Sequence, residues 1–225
     1  MLLVLAFACG GPPPQPASTS SKADRQPQPA ASPDEPRIVV LGDSLTAGYG
    51  LASQDLAFPG VLQQRLDRAG YHFQVINAGV SGDTTAGGLR RLAWSLRGPV
   101  KILIVALGGN DGLRGIPVAE MKTNLATIIE TAQGRGIDVL LAGMEAPPNY
   151  GPAYTRAFHQ VFRDLAVQDH VTFVPFLLAR VAGIASLNQA DGIHPTPEGA
   201  QIVADNVWGA LQPMLAGARR SESRQ

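Results

Sequence analysis

Short apolar runs alternate with longer amphipathic stretches along the chain from Arg37 onward. Five of the short runs are continuous and rich in branched aliphatic residues, which is typical of strands buried on both faces of a sheet. They cover residues 38–41, 73–76, 100–107, 137–142 and 171–174.

The stretches between these runs carry apolar residues at helical spacing. They predict helices over residues 58–69, 84–96, 118–132, 154–167 and about 197–215. A strand–helix–strand order repeated in this way predicts an α/β fold, with a parallel sheet and helices on both of its faces. In such sheets the working site lies beyond the carboxyl ends of the strands, so the residues that follow each strand are the candidates for chemistry.

Polar residues and glycines follow the first three predicted strands. Ser44 comes directly after the first, at a strand-to-helix turn where free N–H groups favour developing negative charge. Gly79 follows the second, and its N–H could approach a substrate oxygen closely. Asn110 follows the third and carries an amide that could donate to an oxyanion. Taken singly, each also fits a structural role: a helix cap for Ser44, or a turn for Gly79 and Asn110.

A further candidate group lies near the end of the chain, where Asp191 precedes His194 by three residues on a proline-containing loop. An aspartate so placed can bond one ring nitrogen, which leaves the other free to accept a serine proton. The strand exits and this loop together supply a nucleophile, a base, a group that orients the base, and oxyanion donors. The pattern GxSxG is absent, so the nucleophile elbow of the α/β-hydrolases is not the right template.

Four sequence blocks resemble those of the SGNH (GDSL) hydrolases, in the same order. They are GDSLTAGYGL at 42–51, NAGVSGDTTAGGLRRL at 77–92, LGGNDGLRG at 107–115 and DGIHPTPEGA at 191–200. The resemblance extends over about residues 37–215 and is strongest to the branch of thioesterase I, lysophospholipase and arylesterase. It implies a three-layer α/β/α sandwich, flavodoxin-like, around a five-stranded parallel sheet.

The resemblance also implies roles for individual residues. Ser44 would be the nucleophile, and Asp191 and His194 would complete a catalytic triad. The oxyanion hole would be formed by Ser44, Gly79 and Asn110, and a loop that moves over bound substrate would be formed by Gly112, Leu113, Arg114 and Gly115.

These roles imply hydrolysis of carboxylic esters or thioesters through an acyl-enzyme on Ser44, with no cofactor. The substrate would be a small acyl ester or thioester. The alternatives are a carbohydrate acetylesterase, since the resemblance extends to such enzymes, and a non-catalytic lipid-binding surface module. A metal-dependent hydrolase is the remaining alternative.

Charge and cysteine content exclude other classes of protein. The 18 basic and 18 acidic side chains balance, and no basic stripe marks a nucleic-acid surface. The group of residues that comes nearest to such a stripe is Arg90, Arg91, Arg97 and Lys101. We interpret this group as a solvated helix face. One cysteine and four histidines without an HExxH spacing predict no bound metal. We expect a monomer.

The first residues predict an export signal rather than part of the fold. Residues 1–8 are apolar but far short of the ~20 needed to cross a bilayer. Cys9 follows them as in a bacterial lipobox, so we expect lipidation of Cys9 and a membrane-anchored periplasmic protein. Soluble export after cleavage, or an uncleaved or mis-started terminus, are the alternatives. The predicted divisions are a signal segment at 1–9, a disordered linker rich in Pro, Ser and Gln at 10–36, the hydrolase domain at 37–217 and a disordered tail at 218–225.

Overall fold

A computed structural model describes residues 35–222, with side chains up to residue 216. Five strands form one sheet in the order β2-β1-β3-β4-β5, and every neighbouring pair is parallel. The strands are β1 (Arg37–Gly42), β2 (Gln74–Gly79), β3 (Val100–Ala106), β4 (Asp138–Ala142) and β5 (Thr172–Val174).

Two layers of helices cover the sheet. On one side α2 packs against α7, and on the other α3 packs against α5, which in turn packs against α6. The helices are α1 (Ser44–Ala47), α2 (Phe58–Arg68), α3 (Thr85–Ser95), α4 (Gly109–Arg114), α5 (Val118–Gln133), α6 (Gly151–Gln168) and α7 (Pro197–Glu222). The architecture is therefore the three-layer α/β/α sandwich that the sequence predicts.

The two central strands, β1 and β3, form the middle of the core. Ile38 to Leu41 and Ile102 to Val105 are fully buried, because helices cover both faces of these strands. Gly42 at the end of β1 pairs with Gly79 of β2 on one side and with Ala106 of β3 on the other. Three strands therefore end level at one edge, which places the residues that follow them side by side.

The chain order reverses direction between β1 and β3. In the strand order 2-1-3-4-5, the first crossover runs from β1 outward to β2, and the chain then returns past β1 to form β3. The loops after β1 and β3 consequently leave on opposite faces of the sheet and open a crevice between them, which is where ligands bind in sheets of this kind. Ser44 and Asn110 follow these two strands.

Element ends differ from the sequence prediction at several places. Strand β2 continues past Asn77 to Gly79, because pairing with β1 extends to its last residue. Helix α6 begins at Gly151, with Pro152 in its first turn, where proline is favoured. Helix α7 continues to Glu222, beyond the predicted domain end at residue 217.

The predicted signal segment at 1–9, Cys9 within it, and residues 10–34 of the predicted linker lie outside the described residues. Residues 35 and 36 of that linker lead directly into β1. Among the helices of the described part, none has the length and apolar content that a bilayer crossing needs.

Candidate active site

Ser44 begins the short helix α1 directly after β1. Asp43 caps this helix, since its Oδ1 accepts a hydrogen bond from the Leu45 N–H at 3.0 Å. The Ser44 N–H lies in the first turn, where no helical carbonyl is available to it. The half-buried Ser44 side chain therefore projects from a helix start at the carboxyl edge of the sheet, beside a free backbone donor.

His194 reaches Ser44 from the loop that precedes α7. Its Nε2 lies 2.8 Å from Ser44 Oγ, and its Nδ1 lies 2.7 Å from Asp191 Oδ2. Because an ionised carboxylate only accepts hydrogen bonds, Nδ1 carries the proton of the neutral ring and Nε2 is left as the acceptor. The structure thus brings the three residues of the predicted triad into one hydrogen-bonded chain.

Asp191 is held in its charged form by the loop itself. Its Oδ1 accepts the backbone N–H groups of His194 at 3.0 Å and of Ile193 at 2.9 Å. These bonds, followed by the one to the His194 ring, lower the pKa of Asp191 to about 2. The carboxylate is consequently ionised at any pH at which the protein would work.

Asn110 lies in the first turn of α4, after β3. Its side-chain amide faces Asp43, the residue before Ser44. Its Nδ2 donates to Asp43 Oδ2 at 3.2 Å. This bond fixes which end of the amide is the donor, and the second hydrogen on Nδ2 remains available to a substrate. Asp43 therefore connects the helix that carries Ser44 with the side chain of Asn110.

Asp43 is almost completely buried, and burial raises its pKa to about 6. The hydrogen bonds from the Leu45 N–H and the Asn110 amide, and the charge of His194, act in the opposite direction without overcoming the effect of burial. The two carboxylates beside the Ser44–His194 pair thus have opposite environments, one exposed and charged, the other buried and titrating in the mildly acidic range.

Gly79 does not offer the free N–H that the sequence analysis expected. Its N–H donates to Asn77 Oδ1 at 3.0 Å, and Asn77 is itself fixed by a bond from Nδ2 to the Thr46 carbonyl at 2.8 Å. A Cβ at position 79 would overlap the backbone of α1, so the residue is a glycine because two backbones meet there. These contacts argue against Gly79 as an oxyanion donor.

Gly82, in the same sequence block, has a free donor. Its φ is 82°, in the left-handed region, and no described residue accepts its N–H. Its carbonyl accepts Arg114 Nη2 at 2.8 Å. The sequence analysis missed this residue, although a glycine between a serine and an aspartate at the turn before α3 was a signal for a left-handed turn.

Arg91 contradicts the interpretation of the basic group as a solvated helix face. Its guanidinium donates to Asp83 Oδ2 at 2.6 Å, to the Ala78 carbonyl at 2.7 Å and to the Gly42 carbonyl at 2.8 Å. Arg91 therefore ties together the carboxyl ends of β1 and β2, directly below the site. The interpretation holds for the exposed Arg90 on α3, whereas Arg97 is exposed beyond the end of α3 and Lys101 is exposed on β3, so neither of these two lies on a helix.

The segment Gly112–Gly115, expected as a loop, is the last turn of α4 and its cap. Gly115 ends the helix in the left-handed conformation, with a φ of 61°. Two hydrogen bonds hold the turn. The Tyr150 hydroxyl donates to the Leu113 carbonyl at 3.2 Å, and Arg114 Nη2 donates to the Gly82 carbonyl. The buried Asp111 supports it from below by accepting two bonds from Thr85, at 2.6 and 2.9 Å.

A narrow, predominantly apolar cleft opens beside Ser44 and His194. Side chains from α1, α2, the segment after β5 and α7 line it, among them Leu45, Phe58, Leu178 and Val203. No group of three metal-ligating side chains exists among residues 35–216. The arrangement supplies an activated hydroxyl, backbone and amide donors, and an apolar surface next to them.

Comparison with known proteins relates the chain to one family. The model of the GDSL-like Lipase/Acylhydrolase family matches residues 40–202. Esterase TesA of Pseudomonas aeruginosa is 43% identical over 179 residues, which cover 79% of this chain and 89% of that protein. Thioesterase 1/protease 1/lysophospholipase L1 of Escherichia coli (strain K12) is 35% identical over 179 residues, covering 79% and 84%.

The fold is shared with a solved structure of the same kind. The crystal structure of TesA superimposes with a TM-score of 0.75 at 43% sequence identity, and the match covers 80% of this chain and 99% of that one. The predicted fold class is thereby confirmed.

The buried carboxyl of Asp43 predicts a specific dependence of stability on pH. Because the pKa of Asp43 in the folded protein, about 6, lies above the 3.8 of an exposed aspartate, the unfolded chain ionises first as pH rises. Between pH 4 and pH 7, wild type should therefore lose about 2 kcal/mol of stability relative to Asp43→Asn. Denaturant unfolding of both proteins across this range measures the difference, and a difference that is constant with pH would contradict the prediction.

Proposed function

The chain belongs to the GDSL-like lipase/acylhydrolase family, and on this premise we propose that it is a serine esterase acting on carboxylic esters or thioesters through an acyl-enzyme on Ser44. The hydrogen-bonded chain from Asp191 through His194 to Ser44 is the observation that carries the proposal. Relatives named as an esterase and as a thioesterase and lysophospholipase support the same range of substrates.

In the first half of the reaction Ser44 Oγ attacks the acyl carbonyl carbon while His194 Nε2 takes its proton. The bond from the carbonyl carbon to the leaving oxygen or sulfur then breaks, and the leaving group takes that proton from His194. In the second half water attacks the acyl carbon while His194 Nε2 takes its proton. The bond from that carbon to Ser44 Oγ then breaks, Oγ recovers the proton from His194, and the acid is released. Asp191 holds the ring in the required tautomer and stabilises its charged form.

The oxyanion that forms at the carbonyl oxygen needs donors placed in advance. We assign this role to the Ser44 N–H and the Asn110 amide, which lie after β1 and β3. For the third donor the free N–H of Gly82 is a better candidate than that of Gly79, which already bonds Asn77. Arg114 supports this loop by holding the Gly82 carbonyl.

The alternative of a carbohydrate acetylesterase differs in what the site must bind besides the ester. A sugar requires several polar side chains for its hydroxyl groups, whereas the cleft beside Ser44 is walled by Leu45, Phe58 and Leu178. The apolar cleft favours an acyl chain. A non-catalytic lipid-binding module would not need the Asp191–His194–Ser44 chain.

Two substitutions test the assignment of the active site. Ser44→Ala should abolish p-nitrophenyl ester hydrolysis and labelling by a fluorophosphonate, while the unfolding transition is retained. Asn110→Ala should lower kcat on the order of 10²–10³-fold, because one oxyanion donor is lost. Steady-state kinetics measure both effects. Turnover by Ser44→Ala, or a loss below about threefold in Asn110→Ala, would remove the residue from its role.

The apolar cleft predicts a dependence on acyl chain length. Each methylene that the cleft buries should raise kcat/KM by roughly fourfold, from about 0.8 kcal/mol of transfer free energy, until the cleft is full. A series of p-nitrophenyl esters from acetate to octanoate measures this. A carbohydrate acetylesterase would instead prefer the acetyl ester, so a maximum at acetate would favour that alternative.

We also propose that the protein is exported to the periplasm and anchored through a lipidated Cys9, and that it is a monomer. The apolar residues before Cys9 and the lipobox-like order of residues support the anchor. Mass spectrometry of the N-terminus after expression in a bacterial host should find a diacylglyceryl-modified Cys9 as the first residue. An unmodified chain that begins at Met1 would reject the anchor.

A further inference from the structure

The imidazole of His194 is restrained at its two nitrogens and also on one face. Asp191 and Ser44 bond the nitrogens, and the ring of Tyr49 packs against His194 with 4.7 Å between ring centroids and 42° between ring planes. The two hydrogen bonds lie roughly along one axis through the ring. They leave rotation of the imidazole about that axis unrestrained, and the tilted contact with the Tyr49 ring opposes this rotation.

Neither burial nor a hydrogen bond explains the position of the Tyr49 ring. The side chain is 56% exposed, and its hydroxyl has no hydrogen-bond partner among residues 35–216. Its aromatic contact within the same part of the chain is with His194. The ring also borders the cleft beside Ser44, so contact with substrate is the alternative to a role at His194.

The backbone around Tyr49 is built to hold this position. Gly48 and Gly50 on either side have φ values of 75° and 74°, which non-glycine residues rarely adopt. Between them the Tyr49 N–H donates to the Ser44 carbonyl at 3.0 Å. The backbone from which the ring projects is therefore fixed relative to Ser44.

Gln189 connects the same segment to the loop of His194. Its Nε2 donates to the Tyr49 carbonyl at 2.7 Å and to the Pro195 carbonyl at 3.0 Å, and its N–H donates to the His194 carbonyl at 2.7 Å. A side chain at Gly50 would overlap the Gln189 amide. One side chain thus joins two loops that are 140 residues apart in sequence.

We propose that Tyr49, held in place by Gln189, is a positioning residue that keeps the His194 ring in the plane joining Asp191 to Ser44. This inference rests on the proposed function, because it assigns Tyr49 a role only if His194 is the base. A base that must take a proton from Ser44 and return it to the leaving group loses rate when its ring leaves that plane. The contact acts on the ring rather than on substrate, so its loss affects turnover more than binding.

Tyr49→Ala tests the proposal. We expect kcat to fall on the order of tenfold, KM to change less than twofold, and the loss to be equal for p-nitrophenyl acetate and p-nitrophenyl octanoate. Tyr49→Phe, which keeps the ring and removes the hydroxyl, should restore kcat to within about twofold of wild type. Trp94→Ala removes a comparably exposed aromatic side chain from α3 and should match wild type.

Gln189→Glu provides a second variant that leaves the Tyr49 ring in the chain. A carboxylate cannot donate to the Tyr49 and Pro195 carbonyls, so the same fall in kcat with unchanged KM is expected. A wild-type kcat in both variants would overturn the proposal. So would a loss in Tyr49→Ala that appears in KM or grows with acyl length, because Tyr49 would then contact substrate. Ser44→Ala assayed in parallel separates the outcomes, since turnover by that variant would reject the proposed function itself.

Discussion

The hydrogen bond between Ser44 Oγ and His194 Nε2 joins residues 150 positions apart in the sequence, and the chemistry of the site depends on it. One end is fixed by the central strand β1, whose pairing with β2 and β3 holds the turn at Ser44. The other end is fixed by the loop before α7. Helix α7 itself packs against α2. Packing of α7 therefore holds the geometry of the candidate triad as well as contributing to stability.

Two carboxylates support this bond from opposite directions. Asp191 gains its low pKa from backbone N–H groups of its own loop, so its charge costs the fold little. Asp43 is buried and carries a raised pKa, so keeping it charged costs stability. It is retained where it links the cap of α1 to the Asn110 amide. The unfavourable burial of Asp43 thus keeps the start of α1 and the Asn110 amide in a fixed relative position.

The sequence predicted the sheet, its order of elements and the meeting of Ser44, Asp191 and His194, because strand exits and one loop converge by topology alone. It did not predict which N–H groups would be free. Gly79 and Gly82 look equivalent in sequence, but Asn77 Oδ1 accepts the N–H of Gly79 at the end of β2, whereas Gly82 lies in a left-handed turn that leaves its N–H free. Arg91 was misread because helical periodicity assigns charges to solvent, whereas carbonyls at the ends of β1 and β2 attract this one.

Helix α4 is a second feature that depends on contacts between residues distant in the sequence, here at the level of secondary structure. The family resemblance implied a loop at residues 112–115, and the glycines at 109, 112 and 115 disfavour a helix there. The buried Asp111 pairs with Thr85, and these tertiary bonds outweigh the local preference. Sequence periodicity contains no information on such pairs, because their members lie on different elements.

The walls of the cleft are also part of the hydrophobic core. Phe58, Leu178 and Val203 line it, and each is at most 9% exposed. Shortening such a buried side chain typically costs about 2–5 kcal/mol, a large share of the stability of an ordinary domain. Leu51 at the rim is under weaker constraint, since it is only half-buried. Changes in acyl preference that keep both the fold and the contact between Tyr49 and His194 should therefore be made at Leu51 rather than in the buried walls.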